Sequence, residues 1–329
     1  MTRFPDQTRA WAITDGKAGD LAQVLGLLER AGVAFESRVV APRAPWVWAL
    51  PFGPLDPRER PGRDGGPLAG PLPDIAIATG RRAVAALRAL KSASAGRTFT
   101  VCLKQPATGR AAADLIWVQA HDRLRGDNVF VTLTSPHRIS PARLDAARLN
   151  PAAELAALPA PRIAVLVGGP NRVYRYSDAD IARLIAGLER LRATTGTSLM
   201  ITPSRRTPAA LTAELVARFG GPAGFVWDMT GANPYVDMLA LADAVVVTAD
   251  STNMMSEAPA TGAPLLLFRP SGDAPKMDRL AATLIDAGIA RWLDAADAPG
   301  DRYPPVDATE TILDRIAAAY AAHRAGAAR

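Results

Sequence analysis

The sequence predicts an α/β protein made of two Rossmann-like domains, on three observations. Short apolar, β-branched runs alternate with stretches of helical period along the chain. Runs of this kind read as buried parallel strands, and most of them end in a polar or glycine-containing turn. After an Ala- and Pro-rich connection at 148–162 the pattern starts again, as 329 residues would suggest, since that length is long for one core.

The unit from Asp243 to Phe268 shows the pattern most clearly. Ala244 to Thr248 reads as a strand, and Asp250, Ser251, Thr252 and Asn253 offer four caps for a helix that Gly262 ends. Leu265 to Phe268 then closes a β-α-β unit. In open α/β sheets ligands bind beyond the carboxyl ends of the strands, where helix N-termini present free N–H groups. An anion such as phosphate is expected at Ser251-Thr252-Asn253, with Glu257 one turn on to hold a sugar diol; the same carboxylate also suits the helix dipole.

From the N-terminus, Trp11 to Thr14 reads as a strand entering the loop Asp15-Gly16-Lys17-Ala18-Gly19-Asp20, followed by Leu21, Val24, Leu25 and Leu28 at helical spacing. The loop places two acids and a lysine at a strand's carboxyl end. Asp15, Asp20, Gly16 and Lys17 are therefore candidate site residues, though Asp and Gly are also ordinary turn residues.

Phe35 to Val40 is a second strand. The stretch from Pro42 to Pro73 holds nine prolines and five glycines, which excludes regular helix or central strand and predicts a long surface excursion. Its rings, Trp46, Trp48 and Phe52, are expected to be buried beneath it, with membrane or partner contact as the alternative. Strands at 75–79, 98–103, 115–118 and 128–132 follow, with Lys104, His121 and Arg138 as candidates to line the ligand edge. His121 beside Asp122 has the residue types of a general base, and equally those of an ordinary loop histidine.

The second half carries strands at 163–167, 199–202, 225–227, 244–248 and 265–268. Three of its strand-to-helix turns suit a diphosphate: Gly168-Gly169-Pro170-Asn171-Arg172, Ser204-Arg205-Arg206, and Ser251-Thr252-Asn253. Glycine turns supply close backbone N–H groups and arginines supply guanidinium forks. Domains are thus expected at 1–150 and 151–306, with the 307–329 helix packing back across the junction.

Composition excludes several classes. One cysteine, Cys102, rules out an internal disulfide, and its apolar setting marks a core thiol. The three histidines form no ligand-spaced pair, so neither metal nor cofactor is expected. Lys+Arg 38 against Asp+Glu 32, spread along the chain, suits phosphorylated ligands or an acidic membrane surface and argues against nucleic acid. No apolar run reaches the roughly 18–20 residues of a membrane span and no signal peptide is evident, so a cytoplasmic protein is expected, with peripheral attachment to the inner face of the membrane left open.

The motifs DGKAGD, His121-Asp122, GGPNRVYRY, TPSRRTP, NPYVDMLALADAVVVTADSTNMMSEA and TGAPLLLF, taken together, resemble the mitochondrial fission protein family over essentially the whole chain. That family is similar to GT-B glycosyltransferases, in which two Rossmann-like domains face each other across a cleft. The resemblance implies that the first domain takes the acceptor and the second a nucleoside-diphosphate sugar. On it, Glu257 matches the acid on the donor ribose, Ser251-Thr252-Asn253 the phosphate-facing helix start, and Gly168-Gly169 the loop by the diphosphate. Members have been labelled epimerases. This chain lacks both the dinucleotide glycine loop and a Tyr-x-x-x-Lys pair, which argues against that label.

The expected function is metal-independent glycosyl transfer from a nucleoside-diphosphate sugar to an undefined acceptor, with Arg172, Arg205 and Arg206 stabilising the leaving diphosphate and Asp15, Asp20 or His121 as base. Two alternatives stand beside it. One is a membrane-associated or division-related scaffold that keeps the fold without the chemistry, and the other a nucleotide-sugar hydrolase using the same donor site.

Overall fold

The computed structural model describes residues 3–222 and 224–327. The chain divides into two compact units, the first running to Arg138 and resuming at Ala308, the second spanning Ile139–Asp307.

In the first unit, β1 (Arg9–Thr14), α1 (Ala18–Ala31) and β2 (Ala34–Val39) open the fold. After α2 (Trp46–Ala49) come β3 (Ile75–Thr79), α3 (Val84–Ala93), β4 (Phe99–Leu103), β5 (Leu115–Gln119) and β6 (Val129–Thr132). The six strands form one parallel sheet in the order β2-β1-β3-β4-β5-β6. Side chains alternate along each strand, so the sheet buries apolar residues on both faces. Trp11, Ile13, Cys102 and Ile116 pack on one face with α3, and Ala12, Ile77, Val101 and Trp117 pack on the other with α1.

The second unit opens with α4 (Pro141–Leu149), which Ser140 caps by accepting the Arg143 N–H at 3.1 Å. Then follow α5 (Ala153–Ala156), β7 (Arg162–Val167), α6 (Asp178–Thr195), β8 (Ser198–Pro203), α7 (Ala209–Phe219), β9 (Gly224–Val226) and α8 (Tyr235–Leu241). β10 (Ala244–Thr248), α9 (Thr252–Glu257), β11 (Leu265–Phe268), α10 (Pro275–Asp286) and β12 (Ala290–Trp292) complete it. Its parallel sheet runs β12-β11-β10-β7-β8-β9, covered on one face by α6 and α7 through Leu184, Leu188, Leu211 and Leu215.

The last helix, α11 (Thr309–Ala327), belongs to the first unit, where Ile312, Leu313, Ile316 and Tyr320 join the α1 side of the core. The division between the units falls at Arg138, ahead of the Ala- and Pro-rich stretch, because α4 packs on α8 of the second sheet.

The 42–73 excursion departs from expectation. Leu50, Leu55 and Leu68 are buried beneath it, but Trp48 and Phe52 stand 78% and 68% exposed. The smaller aliphatic residues fill the space under the segment, and the two rings are left outside it.

Cys102 lies inside the first core, and burial pushes its thiol up to about 12. A thiol so raised is almost wholly protonated at neutral pH and unreactive. In Ellman titration of the native protein Cys102 should stay silent, and one thiol should appear on denaturation.

Candidate functional site

In each sheet the strand order reverses once, between β1 and β3 in the first and between β10 and β7 in the second. Ligands of doubly wound folds collect at the carboxyl ends of such strands, and the loops following these four strands hold many of the candidate residues.

In the first unit, Thr14 and Thr79 pair in register, so Asp15 and Gly80 follow side by side. The Asp15 side chain is 4% exposed; its Oδ2 accepts the Lys17 Nζ at 3.0 Å, and its Oδ1 has no hydrogen-bond partner among the described residues. The neighbouring Thr79 Oγ1 is likewise buried without a partner. Gly80 has φ +94°, and a Cβ there would come within 3.0 Å of the Asp15 carboxyl carbon. Glycine both permits the backbone and leaves room for the acid. Gly16, at φ +88°, turns the chain from β1 and donates its N–H to Thr14 Oγ1 at 3.2 Å.

The other first-unit candidates are tied into the protein. Asp20 is ion-paired with Lys104, a non-glycine residue at φ +75°. Arg138 forms a two-pronged pair with Glu29 at 2.8 Å through both nitrogens. The His121 side chain is 2% exposed, with Nε2 3.7 Å from Asp122 Oδ1. Enclosed in this way, His121 fits the ordinary loop-histidine reading better than that of a base open to an acceptor.

In the second unit the turns after β10, β7 and β8 lie on three adjacent strands, as a shared site requires. Their inner surface, however, is organised by Asp250, whose side chain is fully buried. Its carboxylate accepts the Gly169 N–H at 2.9 Å, the Tyr176 hydroxyl at 2.7 Å, the Thr248 hydroxyl at 2.8 Å and the Arg206 guanidinium at 2.9 Å. The Gly168 N–H goes to Thr248 Oγ1 at 2.7 Å. A Cβ on Gly168 would lie 2.2 Å from Asp250, and one on Gly169 2.1 Å from the Arg206 carbonyl oxygen, so both glycines are required by packing.

This corrects part of the expected site. The N–H groups of Gly168 and Gly169 are engaged internally and do not face a diphosphate. Arg206 also donates to the Gly169 and Pro170 carbonyls, at 2.6 and 3.2 Å, and acts as a brace. Asn171 turns its Oδ1 to the Val173 and Tyr174 N–H groups at 2.9 and 3.0 Å. Ser204 is closed on Thr207, its N–H donating to Thr207 Oγ1 at 2.8 Å.

What faces outward is a smaller set. Arg172 and Arg205 are exposed, with no ion pair or hydrogen bond to their guanidinium groups among the described residues. Of the four expected caps, Ser251 serves, accepting the Met254 N–H at 3.4 Å, and Thr252 and Asn253 sit half-buried in the first turn of α9.

Glu257 is half-buried at the end of α9. Its Oε2 accepts the Tyr235 hydroxyl at 2.5 Å, while Oε1 takes no hydrogen bond within the described protein. Burial pushes the Glu257 carboxyl above its usual range, opposed by the Tyr235 hydroxyl and the Arg143 guanidinium, which favour the ionised form. Tyr235 is itself raised by burial and by the adjacent carboxylate, so it remains a donor. Among the described residues no group of three or more His, Cys, Asp or Glu side chains is placed to hold a metal ion.

Two parallel six-stranded sheets with flanking helices define the GT-B-like class shared by glycosyltransferases and by some epimerases. Over 94% of its length the chain superposes on 99% of a UDP-GlcNAc 2-epimerase from Neisseria meningitidis bound to UDP-GlcNAc, with TM-score 0.52 and 11% identity. It covers 94% of a UDP-glucosyltransferase from Polygonum tinctorium with 98% of its own length, at TM-score 0.51 and 13% identity. Likeness at this level shows the fold alone.

Residues 18–320 match the model of the mitochondrial fission ELM1 family, and the chain belongs to that family. The mitochondrial fission protein ELM1 of Arabidopsis thaliana is 30% identical over 274 residues, 75% of this chain and 63% of the plant protein. The chain therefore spans less than two thirds of that relative.

The Asp250 arrangement predicts a large effect from one substitution. Asp250→Ala leaves the Arg206 guanidinium, the Tyr176 and Thr248 hydroxyls and the Gly169 N–H short of an acceptor, and should cost about 3 kcal/mol in denaturant unfolding. Arg206→Ala, which leaves the buried Asp250 carboxylate without its guanidinium, should cost a comparable amount.

Proposed function

We propose that the second unit binds a nucleoside-diphosphate sugar and that the chain is a GT-B-type glycosyltransferase needing no metal. The observation that carries this reading is Glu257, a carboxylate held by Tyr235 with one oxygen left for a ligand, on the helix that leaves the second sheet's switch point. Arg172 and Arg205, on the neighbouring turns and without an ion pair among the described residues, supply positive charge for a diphosphate. The Neisseria structure of the same fold holds UDP-GlcNAc, which supports the choice of ligand class.

In this reading the acceptor hydroxyl gives its proton to a carboxylate and attacks the anomeric carbon, whose bond to the diphosphate breaks. Charge grows on the departing phosphate, and Arg172, Arg205 and the first turn of α9 meet it. Asp15 is the preferred base because, although its Oδ2 holds Lys17, its Oδ1 has no hydrogen-bond partner among the described residues, whereas Asp20 is paired with Lys104 and His121 is enclosed. A second reading, favoured by the exposed Trp48 and Phe52 and by the naming of the plant relative, is a membrane-associated, division-related scaffold that retains the fold without transfer.

Isothermal titration with UDP- and GDP-linked sugars should show binding of at least one donor, weakened by about 1.5–3 kcal/mol in Glu257→Ala. Absence of binding by every nucleotide sugar would remove the transferase reading. The profile with pH adds a sign. Glu257 accepts sugar hydroxyls more strongly when ionised, and its carboxyl lies above the ordinary value. Donor affinity should fall as pH drops through that raised value, and Glu257→Gln should flatten the profile. Once an acceptor is in hand, Asp15→Asn should lower turnover by about 10²–10⁴-fold while leaving donor affinity unchanged.

A further inference from the structure

Trp48 and Phe52 stand four positions apart on the excursion that follows β2, at 78% and 68% exposure. Few soluble surfaces show two large rings this close together without a use for them. Their setting is held in place. Gly53 donates its N–H to the Ala49 carbonyl at 2.7 Å, and a Cβ on Gly53 would lie 2.4 Å from that of Ala49, so the chain folds back tightly behind the rings. From α3, Arg88 donates to the carbonyls of Pro51 and Gly53, the residues on either side of Phe52.

The charges around the rings are sorted by depth. Of the excursion's three acids two turn inward: Asp56 accepts the N–H groups of Arg43 and Arg58 at 3.2 and 2.9 Å, and Glu59 accepts that of Ala41 at 2.5 Å, while Asp64 is exposed. Arg58, Arg60 and Arg63 are exposed, and no carboxylate pairs with their guanidinium groups among the described residues. The segment therefore exposes two aromatic rings and three arginines that have no carboxylate partner among the described residues, against one exposed acid, Asp64. That combination matches an anionic bilayer surface, where rings settle at headgroup level and guanidinium groups meet phosphate.

We propose that the 42–63 segment docks the first unit on an anionic membrane, with Trp48 and Phe52 entering the headgroup layer and Arg58, Arg60 and Arg63 pairing with lipid phosphates. No helix among the described residues is long and apolar enough to cross a membrane, so the attachment is peripheral. The inference deepens the surface-bound reading above and is independent of donor binding, which calorimetry reports separately.

The test is co-sedimentation of the full chain with phosphatidylcholine vesicles, with and without about one third phosphatidylglycerol. Binding should require the anionic lipid and weaken as salt is raised. Trp48→Ala with Phe52→Ala should lower the partition coefficient by on the order of tenfold or more without shifting the melting temperature. Each of Arg58→Gln, Arg60→Gln and Arg63→Gln should lower it by about fivefold. Quenching of the wild-type tryptophan fluorescence by brominated lipid checks insertion without any substitution. Failure to sediment with anionic vesicles, unchanged partition of the double variant, or absence of quenching overturns the proposal; the first of these would point to a protein partner.

Discussion

A single buried carboxylate holds the ligand edge of the second unit together. Asp250 gathers a backbone N–H, two hydroxyls and a guanidinium from the turns after β7, β8 and β10, and from Tyr176 between β7 and α6. A buried charge is tolerable only when it is neutralised and fully hydrogen-bonded, so these partners must all be present together. Gly168 and Gly169 follow from the same requirement, since any side chain at either position would occupy the space of Asp250 or Arg206. Burial and the adjacent carboxylate push the Tyr176 hydroxyl well above its normal range, which keeps it a donor to Asp250.

This constraint sorts the arginines. Arg206 is drawn inward by Asp250, whereas Arg172 and Arg205, flanking the same contact, remain outside with no acceptor among the described residues. The edge is thus rigid beneath and cationic above, a suitable arrangement for a ligand that must be held while its charge changes. The first unit repeats the layout at its own switch point with the opposite polarity. There the buried group is Asp15 with an unsatisfied oxygen, and the close approach of Gly80 leaves room for it.

The strands were legible because parallel strands are buried on both faces and so appear as unbroken apolar runs, as Ala244–Thr248 does. The short helix α4 was not foreseen. Its Pro-Ala-Arg-Leu-Asp-Ala-Ala-Arg-Leu run buries only Leu144 and Ala147, too weak a period to stand out from a polar connection. The division between the units was misplaced for the same reason. Within the site, Glu257 was legible by its place on the helix, but Tyr235 was not, since the two meet across 22 residues of chain. Nothing local distinguishes Arg205 from Arg206; the difference is one of side-chain direction toward an acid 44 residues on.

The excursion after β2 shows the same limit from the other side. Where a segment has no period, hydrophobicity alone cannot tell an inward residue from an outward one, and Trp46, Trp48, Leu50 and Phe52 read as one apolar group. The fold separates them by size and by anchoring. Leu50 and Leu55 fit beneath the strap, while Arg88 fixes the carbonyls around Phe52 and keeps the ring outside. Burying that ring would require releasing a guanidinium from two carbonyls inside a partly dry environment, at a cost of about 1.5–3 kcal/mol. That is comparable with what burial of the phenyl ring would return. The clamp and the hydrophobic effect are thus closely matched, so exposure of Phe52 is set by anchoring as much as by hydropathy, which is why the amino-acid order alone pointed the other way.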